Sequence, residues 1–296
     1  LHLPAHFIKM ITSFSTELII TTYNNPKALL LVLDAIAQQT YPVNKIYIAD
    51  DGSTAATKTA ISEASKKHTH LSIQHLWHPD NGFNKNTILN SAINGAKADY
   101  LIFIDGDCIP HPNFVERHVV LAKKGRFVTG SVIRLDEKTS KKVTTENIKS
   151  GGVFTYSWLL TQNQIDRLGT KLKTNLYGTK ISSILECLSP VKKVWNGGNT
   201  SGWRADIIRV NGFDENLKYG AEDVELGVRL NNIGVIGRHI RYSAPLLHLD
   251  HPRGYADKDQ LLKNKAYVKK VKKQSLKWAK FGIKKETSDQ DPLQVS

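Results

Sequence analysis

Cysteine and methionine are scarce in these 296 residues: two Cys, at 108 and 187, and one Met, at position 10. Two thiols exclude a disulfide framework and a four-cysteine zinc site and suit a reducing compartment, which points to the cytosol. No apolar run approaches the roughly 18–20 residues that cross a bilayer. The N-terminus also lacks a basic segment followed by an apolar core and a small-residue cleavage site, so the chain reads as neither spanning nor secreted. The sole methionine, Met10, reads as an initiator with residues 1–9 as additions ahead of it, set apart from the fold. Acids are outnumbered, 27 against 41 basic residues, for a formal charge of +14. That excess is local: residues 258–285 hold eleven Lys against a single acid, Asp259, so the body of the chain carries only +4. With 40% hydrophobic and 23% charged residues, and Pro and Gly spread along the chain, disorder, collagen and coiled coil are excluded.

Hydrophobic runs alternate with helical periodicity along the first hundred residues. Leu18–Tyr23 is a short β-branched run ending at Asn24-Asn25-Pro26, and Ala28–Gln39 carries apolar residues at helical spacing. A strand over Lys45–Ala49, a helix over Ala55–Lys67, a strand over Leu71–Leu76, a helix over Thr87–Ala96 and a strand over Asp99–Ile104 follow. This order predicts an α/β fold with a mostly parallel central sheet flanked by helices, its first half Rossmann-like. A further strand starts at Arg126, Glu137–Lys149 is rich in Lys and Thr, and the stretch to Val194 gives no clear assignment. A helix is expected over Val224–Asn232, and Leu261–Lys285 shows a rough helical stripe of apolar residues among lysines.

In sheets of this kind ligands bind beyond the carboxyl ends of the strands, and polar clusters lie there. Asp105-Gly106-Asp107 follows Tyr100–Ile104, so two carboxylates emerge together from a strand end. They suit Mg²⁺ or Mn²⁺, hard cations that take oxygen ligands and bridge to phosphate. A plain strand-to-turn transition would use the same residues. Asp50-Asp51-Gly52-Ser53 reads either as a turn and helix cap or as Asp50 and Asp51 accepting hydrogen bonds from a base or ribose.

Taken together, Thr21-Thr22-Tyr23-Asn24, Asp50-Asp51-Gly52-Ser53 and Asp105-Gly106-Asp107 resemble the nucleotide-binding half of family 2 glycosyltransferases with the GT-A fold. Gly82–Asn90 looks like the donor-site segment of β-1,4-galactosyltransferases. Trp195-Asn196-Gly197-Gly198-Asn199, Gly212-Phe213-Asp214 and Gly220-Ala221-Glu222-Asp223 resemble their C-terminal catalytic segment, a pattern shared with bacterial chondroitin-polymerase-like enzymes. The likeness runs from about Glu17 to Pro252, weakest over 135–190. It implies one GT-A domain over 10–257, with a nucleotide-sugar half to about 134 and an acceptor half from 135, followed by a basic helical segment and tail over 258–296.

The resemblance also implies roles. Thr21, Tyr23 and Asp51 match positions that hold uridine, and Phe83 and Lys85 match contacts to base, ribose or diphosphate. Asp107 is the implied metal ligand, with Asp105 nearer the ribose and the metal. Gly197 and Gly198 let the backbone approach the donor, where a side chain would intrude. Asp223 matches the catalytic base and Glu222 an acceptor-binding acid, although acids are also common at a helix N-terminus on dipole grounds alone. One departure stands out: the galactosyltransferases carry Trp-Gly-Gly before the acid pair, and this chain has Tyr219-Gly220-Ala221. The resemblance puts a metal ligand near the C-terminal end of the domain, and of His248 and His251 the second is favoured, with His248 as the alternative; an imidazole ligand tilts the preference to Mn²⁺.

Chemically, an acceptor hydroxyl needs a carboxylate to take its proton. A single base with no dedicated nucleophile predicts direct displacement with inversion. The expected reaction moves a hexose or N-acetylhexosamine from a UDP-sugar to a saccharide or lipid-linked saccharide, in bacterial surface polysaccharide or lipooligosaccharide assembly on the cytoplasmic face of the inner membrane. The lysines of 258–285 would meet an anionic membrane surface. Two other readings remain: a nucleotidyltransferase, disfavoured because Thr21–Pro26 holds no glycine, and a nucleic-acid-binding protein, disfavoured because the basicity is confined to one segment without an evident stacking platform.

Overall fold

A computed structural model describes residues 13–165, 168–175, 180–251 and 257–285; Met10, the nine residues ahead of it and the tail from 286 lie outside the described residues. The chain runs β1 (Thr16–Thr22), α1 (Pro26–Ile36), β2 (Lys45–Asp50), α2 (Ala55–Lys67), β3 (Ile73–Trp77), α3 (Lys85–Gly95) and β4 (Tyr100–Asp105), the expected alternation. Next come β5 (Cys108–Pro110), α4 (Phe114–Val120), β6 (Arg126–Gly130) and β7 (Val132–Arg134). The region the sequence left unassigned holds short helices: α5 (Glu137–Ser140), α6 (Thr145–Lys149), a 3-10 turn at Gly152–Phe154, α7 (Tyr156–Thr161), α8 (Leu168–Asn175) and α9 (Lys180–Leu188). The last stretch is β8 (Asn199–Trp203), α10 (Arg204–Arg209), α11 (Glu222–Asn232), β9 (Ile236–Ile240), β10 (Leu246–His248) and α12 (Lys258–Lys273).

Seven strands form one sheet in the order β3-β2-β1-β4-β8-β6-β9. All neighbours are parallel except β8, which runs antiparallel to both β4 and β6. Both faces are covered, which is why β1 and β4 read as unbroken apolar runs. Leu18, Ile20, Ile102 and Ile104 face the layer containing α1, while Ile19, Leu101 and Phe103 face the layer containing α3. Each such side chain, fully buried, contributes about 1.5–3 kcal/mol. The α1 helix starts where Pro26 sets its first turn and the Asn25 side chain accepts from the Ala28 amide. Its Leu29, Val32, Leu33 and Ile36 then bury along one stripe.

In β8 the burial is polar. Asn199, Thr200 and Ser201 are fully enclosed. Asn199 donates to the carbonyls of Ser131 and Ala244, and His118 bridges Asn199 and Ser201 at 3.0 and 2.7 Å. Burial drops the His118 pKa to about 3, so the ring is neutral and its two nitrogens serve as one donor and one acceptor.

A small second sheet, β5-β10-β7, sits beside the end of β4. The antiparallel pairing of β10 with β5 sets His248 opposite Cys108, directly after Asp107. The basic segment also differs from its expected form. The helix stops at Lys273, Ser275 takes a left-handed φ of 52°, and the following residues return to the domain, where Ala279 is buried and Asn211 donates to the carbonyls of Ala279 and Lys284. The described part of 258–285 is therefore built into the domain, with Val271 buried and the α12 helix lying on α11.

Candidate active site

The carboxyl ends of β1, β2 and β4 open on a cleft of about 920 Å³. Thr21, Tyr23, Asp51, Phe83, Lys85, Asp105, Asp107, Gly198, Glu222, Asp223, His248 and His251 all line it, so most of the residues picked from the sequence share one space. Topology explains the convergence. Because β8 is antiparallel, its beginning meets the end of β4, with Asn199 opposite Ile104, and this brings Gly198 against Asp105. A Cβ on Gly198 would lie 2.6 Å from Asp105 Oδ2, and one on Gly197 would lie 2.5 Å from Asp223 Oδ1. Only glycine leaves room for both carboxylates. Gly197 itself stands behind Asp223 and does not line the cleft.

Lys85 is the centre of the charge arrangement. It opens α3, and its ammonium lies 3.2 Å from Asp105 Oδ1 and 3.9 Å from Asp223 Oδ2. Burial would lower its pKa, but Asp105, Asp223 and Glu222 reverse this and hold it well above the ordinary lysine value. At Asp105 burial is likewise outweighed, here by Lys85 and by the Thr21 hydroxyl that donates to it at 2.7 Å, so that carboxyl is held low. Asp223 goes the other way: burial raises it, Lys85 offsets part of the rise, and Asp105 adds to it. Glu222 is pushed up to about 7 by burial and by its neighbour Asp223, while its carboxylate accepts the Gly220 amide at 2.7 Å.

The positions of Lys85 and Asp223 are tied by two asparagines of α3. Asn90 exchanges two hydrogen bonds with the Phe213 backbone, at 2.8 and 2.9 Å, and Asn86 donates to the carbonyls of Asp214 and Leu217. A buried Arg229–Glu225 pair, joined by two contacts of 2.7 Å, reaches the Gly212 carbonyl from α11. Lys85–Asn90 and Gly212–Asp214 are thereby parts of one brace. Phe83 meets Tyr219 edge-on at 5.8 Å across the same junction.

On the other side, Asp107 faces two imidazoles. His251 Nε2 is 3.1 Å from Asp107 Oδ2 and His248 Nε2 is 3.9 Å from Oδ1, with the rings stacked. Cys108 adds a buried thiol, its ligand atom within 4.8 Å of those of Asp107 and His248. A carboxylate with two imidazoles is a donor set suited to Mn²⁺ or a similar divalent ion. Asp105, whose Oδ1 is engaged by Thr21 and Lys85, leans toward the Lys85 side of the cleft.

Asp50 does not belong to this space. As the last residue of β2 it points to the face opposite its neighbour Asp51. It is fully buried, accepts the Ser53 amide at 2.9 Å and pairs with His75 at 2.9 Å, so its role is to close the turn after the strand. Asp51 does face the cleft, where it accepts the Asn84 amide and meets His78 at 3.0 Å; burial raises its pKa against those two contacts. Tyr23, 46% exposed at the mouth, donates to Asp80 at 2.9 Å. His78 and Asp80 went unread in the sequence although they follow β3, whose end lies on the same sheet edge. Asn196, inside the Trp195–Asn199 cluster, and Arg134, at the end of β7, also line the cleft.

A second hollow of about 530 Å³ adjoins the first, lined among others by Trp195, Asn196, Tyr219 and His239. Glu222 and Asp223 border both spaces. The acid pair thus stands between two openings, with Lys85 on one side.

Known proteins are similar to this chain in sequence and in fold. Chondroitin synthase of Escherichia coli is 25% identical over 242 residues, covering 80% of this chain and 35% of that protein. Hyaluronan synthase of Pasteurella multocida is 25% identical over 234 residues, 74% of this chain and 23% of the relative. The chain thus spans about a third or less of the length of these relatives. Among solved structures, the Pyrobaculum calidifontis mannosyltransferase in complex with GDP-Man and Mn²⁺ superposes with a TM-score of 0.55 at 17% identity, over 90% of this chain and 72% of that one. S. aureus TarS 1-349 in complex with UDP superposes with a TM-score of 0.53 at 15% identity, over 88% of this chain and 65% of that one. These likenesses establish the GT-A fold. Residues 180–251 match the N-terminal domain of galactosyltransferase. With residues 17–189, more than half its length, matching Glycosyl transferase family 2, the chain belongs to that family of glycosyltransferases.

Proposed function

We propose that this glycosyltransferase moves a hexose or N-acetylhexosamine from a uridine-diphosphate donor to a saccharide hydroxyl, with inversion at the anomeric carbon. The observation that carries the reading is the meeting of Asp105, Lys85 and Asp223 within 4 Å steps in one cleft. In this reading Thr21, Tyr23, Asp51 and Phe83 hold the nucleoside, and Lys85 offsets negative charge on the departing diphosphate. Asp223 takes the proton of the acceptor hydroxyl as the new bond forms, and Glu222 orients that acceptor. Asp107, His251 and His248 would hold a divalent cation, Mn²⁺ before Mg²⁺, whose chemistry is to neutralise diphosphate oxygens. The mannosyltransferase neighbour, described with GDP-Man and Mn²⁺, supports this general kind of donor and metal.

The second hollow, bordered by the acid pair, is the acceptor's approach. The names of the two relatives support a saccharide acceptor, and bacterial surface polysaccharide or lipooligosaccharide assembly is the setting. No described helix is long and apolar enough to cross a membrane. Contact with an anionic membrane surface would use the outward lysines of α12 together with Trp278 and Phe281, each 42% exposed. The apolar stripe of α12 is spent on the domain, so this contact is electrostatic first. Co-sedimentation with anionic vesicles that persists after replacing Lys269, Lys270, Lys272 and Lys273 with Gln would exclude it.

The reading is tested by measuring nucleoside diphosphate release from a panel of nucleotide sugars with Mn²⁺. Turnover is expected with at least one UDP-sugar and not with nucleoside triphosphates. Triphosphate turnover alone would favour a nucleotidyltransferase.

A further inference from the structure

The segment that delivers Glu222 and Asp223 into the cleft is conformationally costly. Gly220 has φ of 98° and Ala221 φ of 71°, two successive left-handed residues immediately before α11. An L-residue with a Cβ disfavours that region by about 1 kcal/mol or more, so the surroundings must hold Ala221 there. The holding group is on α12. Asn264, 2% exposed, directs its amide N–H groups at three consecutive carbonyls: Lys218 at 2.9 Å, Tyr219 at 3.3 Å and Gly220 at 2.7 Å. Gln260, one turn earlier on the helix, donates to Asn264 Oδ1 at 2.8 Å and so fixes which way the amide faces. Leu261 closes the back of the turn, its Cδ1 2.6 Å from where a Cβ on Gly220 would lie. Without these donors the three carbonyls of this partly buried turn would lose the protein partner they share.

We infer that Asn264 is a positioning residue for the reacting acids: the C-terminal lysine-rich helix clamps the Lys218–Ala221 turn from behind and thereby aims Glu222 and Asp223 between the two openings. The inference rests on the proposed roles of those acids, and it gives the basic segment a task inside the enzyme. Asn264 touches neither opening and acts through the turn alone.

The test uses the whole chain and two readouts. Amide hydrogen exchange across residues 217–223 reports the clamp without reference to activity. Asn264→Ala, and Asn264→Asp, which keeps the shape and loses the donors, are each expected to speed that exchange at least tenfold. Both should lower kcat for UDP release from the best donor at least tenfold, with its KM within threefold. Val271→Ala removes a buried side chain of the same helix away from the turn, and should leave both readouts within threefold even where it lowers Tm as much. Wild-type exchange or wild-type kcat in Asn264→Asp overturns the inference, as does an equal effect of Val271→Ala. Absence of turnover in the unmodified chain counts instead against the proposed reaction, and the exchange result still decides the clamp.

Discussion

The Lys85 ammonium stands 3.9 Å from Asp223 Oδ2, across a cleft that joins the start of α3 to the start of α11. These residues are 138 positions apart and are brought together by the Asn86 and Asn90 contacts to the Phe213–Leu217 loop. Lys85→Ala is expected to leave Asp105 and Asp223 buried without their counter-charge. Turnover should fall by about 100-fold, in the range seen when one electrostatic stabiliser is removed. Lys85→Arg should recover part of it. A loss below threefold in Lys85→Ala, measured as kcat for UDP release, removes the lysine from the reaction.

The cation site is testable by binding alone. His251 lies 3.1 Å from Asp107, and the β5–β10 pairing holds His248 beside it. Asp107→Asn and His251→Ala should each weaken Mn²⁺ binding by at least tenfold in titration calorimetry, while His248→Ala should have the smaller effect. Unchanged Mn²⁺ affinity in Asp107→Asn would place the ion elsewhere.

Glu222 gives a stability signature with a definite sign. Its pKa rises from the ordinary glutamate value of 4.5 to about 7 in the folded protein. Between those pH values the native state binds more protons than the unfolded one, so stability falls as pH rises through the window. Glu222→Gln removes that loss. The variant should melt above the parent at pH 8, and the gap should close by pH 4, where the glutamate is protonated in both states. Parallel melting curves across the range would show that Glu222 titrates normally.

Ala221 is strained with φ of 71°. Replacing it with glycine relieves a left-handed cost of about 1–2 kcal/mol and adds unfolded-state entropy worth about 0.5–1 kcal/mol, two opposing effects. Ala221→Gly should therefore melt within about 1 kcal/mol of the parent. Gly220→Ala, whose new methyl would meet Leu261 at 2.6 Å, should be clearly destabilised. Equal melting of Gly220→Ala and the parent would contradict the packed turn.

How far the sequence could be read follows from where its signals lie. The strands β1, β2 and β4 were legible because burial on both faces leaves unbroken apolar runs. The β8 strand was not, since Asn199-Thr200-Ser201 is stabilised by side-chain hydrogen bonds to His118, Ser131 and Ala244. Without β8 the reason for Gly197 and Gly198 rested on resemblance alone; with it, both are required by the carboxylates they face. The helices between 137 and 188 have four to nine residues each, too short for periodicity to mark. Asp50 was read with Asp51 because they are adjacent, although adjacent strand residues face opposite ways. The lysine-rich helix reads from its sequence either as packed on the domain or as facing an anionic membrane surface. Its rough apolar stripe marked the face that packs on the domain, as with Val271, but gave no sign of the polar inward residue Asn264.

The central claim is that Asp223 accepts the acceptor's proton in a cleft already shaped to hold the donor. Its most direct measurement compares Asp223→Asn with the parent for UDP binding in the presence of Mn²⁺ and for sugar transfer. Binding within threefold and transfer lowered by at least about 100-fold, the lower end of the range for a lost general base, is the result expected; transfer at the parent's rate would contradict it.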